Sequence, residues 1–205
     1  MKKILTIICG LLLIGATANA QSGLLSFGVK GGIGASKFNL EGAPSGWQTE
    51  GTASWHAGLM LRVNIPVLPI YVQGEALYSR VGGSISANGI TQDTYVNRMD
   101  IPVVAGFKFG LLGINARAYG GVVGQVNLSD NFKDAAAQLD PTAPQISSND
   151  FVWGYQAGLG VDIKKLTIDV KYEGSSDYLS EKANVTSMKS AQWIASVGFF
   201  FGGND

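Results

Sequence analysis

The stretch Trp153-Gly154-Tyr155-Gln156-Ala157-Gly158-Leu159-Gly160-Val161-Asp162-Ile163-Lys164-Lys165-Leu166-Thr167-Ile168-Asp169-Val170-Lys171-Tyr172-Glu173 decides the fold. Its apolar residues fall on every second position as far as Ile163, and again from Leu166 to Tyr172. Successive side chains of a strand point to opposite faces, so a period of two means two strands, each with one apolar face. Only Lys164 and Lys165 separate them, so they form an antiparallel hairpin. Asn or Gly would suit such a turn better than two lysines. In the second strand the other face is wholly polar: Thr167, Asp169, Lys171 and Glu173.

The same period recurs over 25–36, 54–65, 70–79, 99–109, 114–127 and 191–201. A strand that crosses a bilayer needs about 9–11 residues of such alternation. The pattern predicts an all-β fold, an eight-stranded antiparallel up-and-down transmembrane barrel. Short connections fall near 66–69, 110–113 and 164–165, and long ones near 39–51, 83–93, 129–149 and 175–187. Turn parity pairs Ile65 with Ile70, Phe109 with Ile114, and Ile163 with Leu166. Short turns on one side and long loops on the other are the layout of an outer-membrane barrel. An even strand number places both termini on the periplasmic side.

A soluble barrel could alternate too, with the opposite sense. Two features decide against it. Trp55, Tyr78, Trp153, Tyr155, Tyr172 and Trp193 share the apolar parity and lie at the loop side. Phe27, Phe107, Phe109, Phe199 and Phe201 share it at the turn side. Two aromatic bands around an aliphatic zone are the girdles of a membrane-spanning wall. The opposite parity carries the strand charges: Lys30, Arg62, Lys108, Arg117 and Lys171 against Glu75, Asp100, Asp162, Asp169 and Glu173. Equal numbers suit a lumen of paired side chains, whereas facing lipid each would cost a few kcal/mol near the midplane. Eight strands leave an interior just wide enough for side chains, which argues against a large open channel.

The rest of the chain fits this frame. Lys2 and Lys3 precede the apolar stretch Ile4 to Ile14, and Ala18-Asn19-Ala20 follows, which is the pattern of a secretory signal peptide over 1–20. The barrel domain is then 21–205. Cleavage removes Cys9, the sole cysteine, and turns fifteen basic against fifteen acidic side chains into thirteen against fifteen. No later run of apolar residues is long enough for a membrane helix. High hydrophobicity, at 46%, excludes disorder. The balanced charge excludes nucleic-acid binding by a basic surface. Glycine, at 28 of 205 residues, is about twice its usual share of roughly 7%. Inward glycines leave room for larger neighbours in a narrow lumen.

Short motifs carry a family resemblance. Ile70-Tyr71-Val72-Gln73-Gly74-Glu75-Ala76-Leu77-Tyr78-Ser79 is similar to an aromatic-x-Gln-x-Glu-x-x-Tyr-Ser segment, with Gly74 where Pro is commoner. Asp100-Ile101-Pro102-Val103-Val104 resembles an Ile-Pro signature, and Gly158-Leu159-Gly160-Val161-Asp162 fits the sixth strand. Together they resemble the small outer-membrane β-barrel family abundant in the Bacteroidetes, which includes PorT-like proteins. The resemblance spans nearly all of 23–201. It implies membrane location and fold, and no shared catalytic residues. The chain ends four residues beyond Phe201, a slight departure from the terminal aromatic usual in such barrels.

Candidate chemistry is sparse. His56, the only histidine, has inward parity. A catalytic role would need a positioned nucleophile or carboxylate. Ser54 shares its face, but i, i+2 neighbours are commonplace in a strand, so a hydrogen-bonding role in the lumen is expected. With one histidine and no mature cysteine, zinc or copper ligands are scarce. Asp130, Asp134, Asp140 and Asp150 do not have EF-hand spacing. Gly32-Ile33-Gly34 and Gly158-Leu159-Gly160 lie inside strands and precede no helix that could cradle a phosphate. Asp134 to Gln138 reads as one helical turn ended by Pro141 and Pro144. No catalytic, cofactor or metal site is therefore expected. The sequence predicts a non-enzymatic envelope protein. Its partners are outer-membrane lipids and an extracellular or periplasmic protein without a sequence signature, with no nucleic acid. Trp47 is one candidate contact in the first loop. A PorT-like accessory role in protein secretion and a narrow passive pore are the alternatives.

Overall fold

The computed structural model describes residues 24–41, 48–87, 90–111, 113–130, 149–176 and 187–201. Eight strands follow in chain order: β1 (Leu25–Glu41), β2 (Gln48–Asn64), β3 (Ile70–Ala87), β4 (Ile90–Leu111), β5 (Ile114–Asp130), β6 (Phe151–Ile163), β7 (Leu166–Ser175) and β8 (Ser187–Phe200). Each pairs antiparallel with its neighbour in sequence. β1 then pairs with β8, from Gly28 opposite Phe200 to Glu41 opposite Ser187, and closes the barrel. Closure leaves no unpaired sheet edge, which hydrocarbon would not tolerate.

The wall is inside-out relative to a water-soluble barrel. Ile33, Leu159 and Trp193 are 61–73% exposed, while Arg98 is fully buried. A few apolar side chains also point inward, among them Met60, Tyr71, Leu77, Val104, Tyr119, Ile194 and Phe200. They fill space between polar groups. The signal-peptide segment 1–20 lies outside the described residues, as do Trp47, Asp134, Asp140, Pro141 and Pro144.

Three sequence expectations need correction. The long connection placed at 83–93 is mostly ladder: Gly83 faces Thr94, Ser84 faces Asp93, and pairing runs on to Ala87 opposite Ile90. Polar side chains stabilise this extension, with Ser84 Oγ donating to Asp93 Oδ1 at 2.8 Å and Ser86 and Thr91 hydroxyls bonded at 2.8 Å. A ladder does not need an apolar face where it stands in water. For the same reason β1 and β2 run into the predicted 39–51 loop. Finally, Phe109 pairs with Ala116 and not with Ile114, whose partner is Leu111. The turn shrinks to residues 112 and 113 because Gly113 adopts φ +81°, a conformation that glycine takes at no steric cost.

The other two short turns use side-chain-bearing residues at positive φ. Lys164 has φ +53° in the β6–β7 turn, with Ile163 opposite Leu166, and Val67 has φ +69° in the β2–β3 turn. For a β-branched residue this is an uncommon and costly conformation.

Candidate functional site

The interior is a chain of ion pairs held by alternate residues of seven strands. Near the short turns, Asp162 of β6 receives Arg62 of β2 at 2.7 Å and Arg117 of β5 at 2.8 Å. Arg62 Nε also donates to Gln73 Oε1 at 2.6 Å, and its guanidinium lies between the rings of Tyr71 and Phe200, 4.7 and 4.6 Å from their centroids. One level up, Lys30 of β1 bridges Glu75 of β3 at 3.0 Å and Asp169 of β7 at 3.2 Å. Tyr119 OH donates to Asp169 Oδ1 at 2.7 Å, and Arg117 reaches the same carboxylate at 3.6 Å. Towards the loops, Glu173 of β7 accepts from Lys171 at 3.0 Å, from Gln192 at 2.7 Å and from Arg98 of β4. Arg98 Nε is 2.7 Å from Asp100 Oδ1.

This arrangement adds one residue to the expected set and places another at its edge. Arg98 was missed because the apolar alternation of β4 starts at Met99. Its signal was present: it stands two residues before Asp100, on the same face. Lys108, also expected in the network, is half-buried at its edge. Its ammonium is 3.9 Å from Asp162 and donates to Asn64 Oδ1 at 2.7 Å. It lies at the turn-side mouth. The fully buried set is Lys30, Arg62, Arg98, Arg117 and Lys171 against Glu75, Asp100, Asp162, Asp169 and Glu173. Arg98 thus adds to the expected charges, and Lys108 joins them at the edge through Asp162.

His56 is buried, with Nε2 3.2 Å from Ser196 Oγ of β8. Ser54, the neighbour considered from sequence, is buried on the same face of β2. Gly32 stands directly opposite both His56 and Ser196. A Cβ there would lie 2.7 Å from the imidazole and 2.6 Å from the hydroxyl, so glycine makes their meeting possible. Gly106 does the same for Tyr71, whose ring a Cβ would approach to 2.6 Å. Among the described residues no cluster of His, Cys, Asp and Glu is suited to a metal ion.

The expected girdle aromatics share the outward face of the barrel in two groups, and because the strands run past the band, Trp55, Tyr78 and Trp193 stand within β2, β3 and β8 rather than at their ends. At the loop side Trp55 contacts Tyr78 at 5.7 Å between centroids, and Trp193 contacts Tyr172 at 5.3 Å. Tyr155 adjoins Tyr172, and Trp153 meets Phe151, an aromatic the sequence expectation omitted. At the turn side Phe201 contacts both Phe27 and Phe199 at 5.8 Å. Phe107 and Phe109 are exposed on β4.

A closed antiparallel barrel, apolar outside and ionic within, is the construction of an integral outer-membrane protein. The chain belongs to the outer membrane protein beta-barrel domain family, whose model matches residues 19–175. It is accordingly an outer-membrane protein. Among solved structures it is similar to Neisserial surface protein A, with 15% identity, TM-score 0.48, and coverage of 84% of this chain and 96% of that one. Outer membrane protein W of E. coli gives 15% identity, TM-score 0.44 and coverage of 89% and 100%. Ail, the attachment invasion locus protein of Yersinia pestis, gives 15% identity, TM-score 0.41 and coverage of 88% and 100%. A comparison with curated proteins finds no match.

Proposed function

We propose that this is a non-enzymatic envelope protein whose barrel is a sealed scaffold and whose loop-side segments meet partners at the cell surface. The observation that carries it is the interior: five buried cations within ion-pair distance of five buried carboxylates. Such pairs hold each other in place and occupy the space that ions or substrate would need. In this reading residues 1–20 are removed on export, both termini are periplasmic, and the aromatic bands sit at the two lipid–water interfaces. The segments 42–47, 131–148 and 177–186 then face outward, where loops on a rigid scaffold commonly bind.

Complementation of a deletion strain tests it. Full-length protein and His56→Ala should both restore detergent and antibiotic resistance of the envelope. A barrel with the three outward segments cut to short turns should not. A shift in lipid A or phospholipid composition on His56→Ala would make the Ser196–His56 pair catalytic and overturn the non-enzymatic reading. The Tyr71-to-Ser79 segment favours a second reading, an accessory role in protein secretion like that of PorT-like proteins. Unchanged secreted-protein levels in the deletion strain would remove it.

A further inference from the structure

The loop-side rim is electrically lopsided. Lys37 of β1, Arg80 of β3 and Lys189 of β8 are all exposed, and all three share the outward parity of their strands. Lys37 stands two residues beyond Ala35, the partner of Trp193. Arg80 stands two residues beyond Tyr78 and directly opposite Trp55. Measured along its own strand, each is therefore one pleat to the water side of a girdle position, the one paired with Trp193 or that of Tyr78. Lys189 is four residues beyond Trp193 and pairs with Asn39, diagonal to Lys37. The Arg80 guanidinium is stacked over the Tyr95 ring at 4.0 Å, which fixes its position against the outer wall. Glu50 of β2 is the one exposed carboxylate described in this arc. The neighbouring arc, β4 to β6, has the reverse sign, with Asp93, Asp130 and Asp150 and no exposed cation among its described residues.

We propose that the β8–β1–β2–β3 rim is a binding site for the phosphates of a phosphorylated glycolipid in the outer leaflet, held by Lys37, Arg80 and Lys189. The proposal rests on the loop side facing outward, as in the proposed function. Cations one pleat above an aromatic band lie at the depth of lipid headgroups. Lys and Arg attract anionic headgroups there, and their aliphatic stems lie along the apolar wall. Strands are spaced about 4.8 Å apart, so three strand spacings separate the cations on β8 and β3, and the register adds an offset along the strands, since Arg80 faces Trp55 whereas Lys189 faces Asn39. One phosphodiester headgroup does not span that distance. Two phosphates on a disaccharide backbone engage cations on more than one strand at once. The acidic arc beside it repels the same phosphates and sets where around the barrel the lipid sits.

The test uses the folded full-length protein in neutral detergent, with lipid retention read by native mass spectrometry. The probes are bisphosphorylated lipid A, the same lipid with both phosphates removed, and phosphatidylglycerol. Wild type should retain the bisphosphorylated form, and 0.5 M NaCl should release it. The triple variant Lys37→Gln, Arg80→Gln, Lys189→Gln should bind it roughly 100-fold more weakly, since each basic residue contributes about fivefold near a headgroup layer. These substitutions are on exposed positions, and an unchanged heat-dependent shift in gel mobility verifies that the variant folds. Equal retention of the dephosphorylated lipid, or an undiminished triple variant, would overturn the proposal. Phosphatidylglycerol bound as tightly as lipid A would reassign the site to any anionic lipid and refute the glycolipid. Detergent binding does not depend on orientation. Labelling of a Ser176→Cys variant on intact cells tests that separately: an unlabelled loop side defeats the outward orientation whatever the lipid result.

Discussion

Asp162 shows how much one residue holds. It receives Arg62 and Arg117, from strands on different sides of the interior, within 2.8 Å. Removing one member of a buried ion pair strands the other charges, at a cost of about 3–5 kcal/mol. Asp162→Ala should therefore lower stability by that amount in urea titrations of protein folded into lipid vesicles. Lys108→Met should change it by less than about 1 kcal/mol, because its ammonium is partly solvated and makes only a long ion pair with Asp162, at 3.9 Å. Equal losses would mean that the mouth and the interior are electrostatically equivalent. In the opposite direction, Val67→Gly should stabilise by about 1 kcal/mol by relieving a β-branched residue at positive φ, measured in the same titration. Parity in the sequence was enough to find most of these interior charges. It could not separate Arg98 from Lys108, because an alternating pattern records which face a residue occupies and not how deep along the barrel it lies. The meeting of His56 with Ser196 was also invisible, since 140 residues separate them and only closure of β1 onto β8 joins them.

At the scale of strands, the sequence marks the membrane-crossing portion and little beyond it. Alternation ended near Ser79 and resumed at Met99 because apolar side chains are needed only against lipid. Hydrogen bonding continues past that limit, as the Ser84–Asp93 and Ser86–Thr91 pairs show. A protease that cuts before aspartate should therefore spare Asp93 in the folded protein and cut there once it is unfolded. Cleavage at Asp93 in folded protein would restore the long loop. The lipid-facing surface makes its own prediction. Leu159 is 68% exposed in the middle of β6, so Leu159→Arg should cost about 2–4 kcal/mol in bilayers. Turn length was legible only where the parity was complete. Ile163 opposite Leu166 could be read, but the Gly113 turn required knowing that β4 continues through Leu111.

The whole molecule is defined by two surfaces of opposite character that a single period of two creates together. The outer one matches lipid. The inner one sets five buried cations against five buried carboxylates among the described residues, in a ring of eight strands, a size at which side chains fill the interior. The fold was legible from the sequence because the same alternation repeats in all eight strands. The proposed surface role was not, because the segments 131–148 and 177–186 carry no comparable pattern. The central claim is that the interior is closed. Single-channel recording of the purified, folded protein in planar bilayers tests it most directly. Membranes that stay silent across applied voltages, after insertion is verified by the heat-dependent gel shift of recovered protein, are the expected result. Reproducible conductance steps from the intact chain would contradict a sealed lumen.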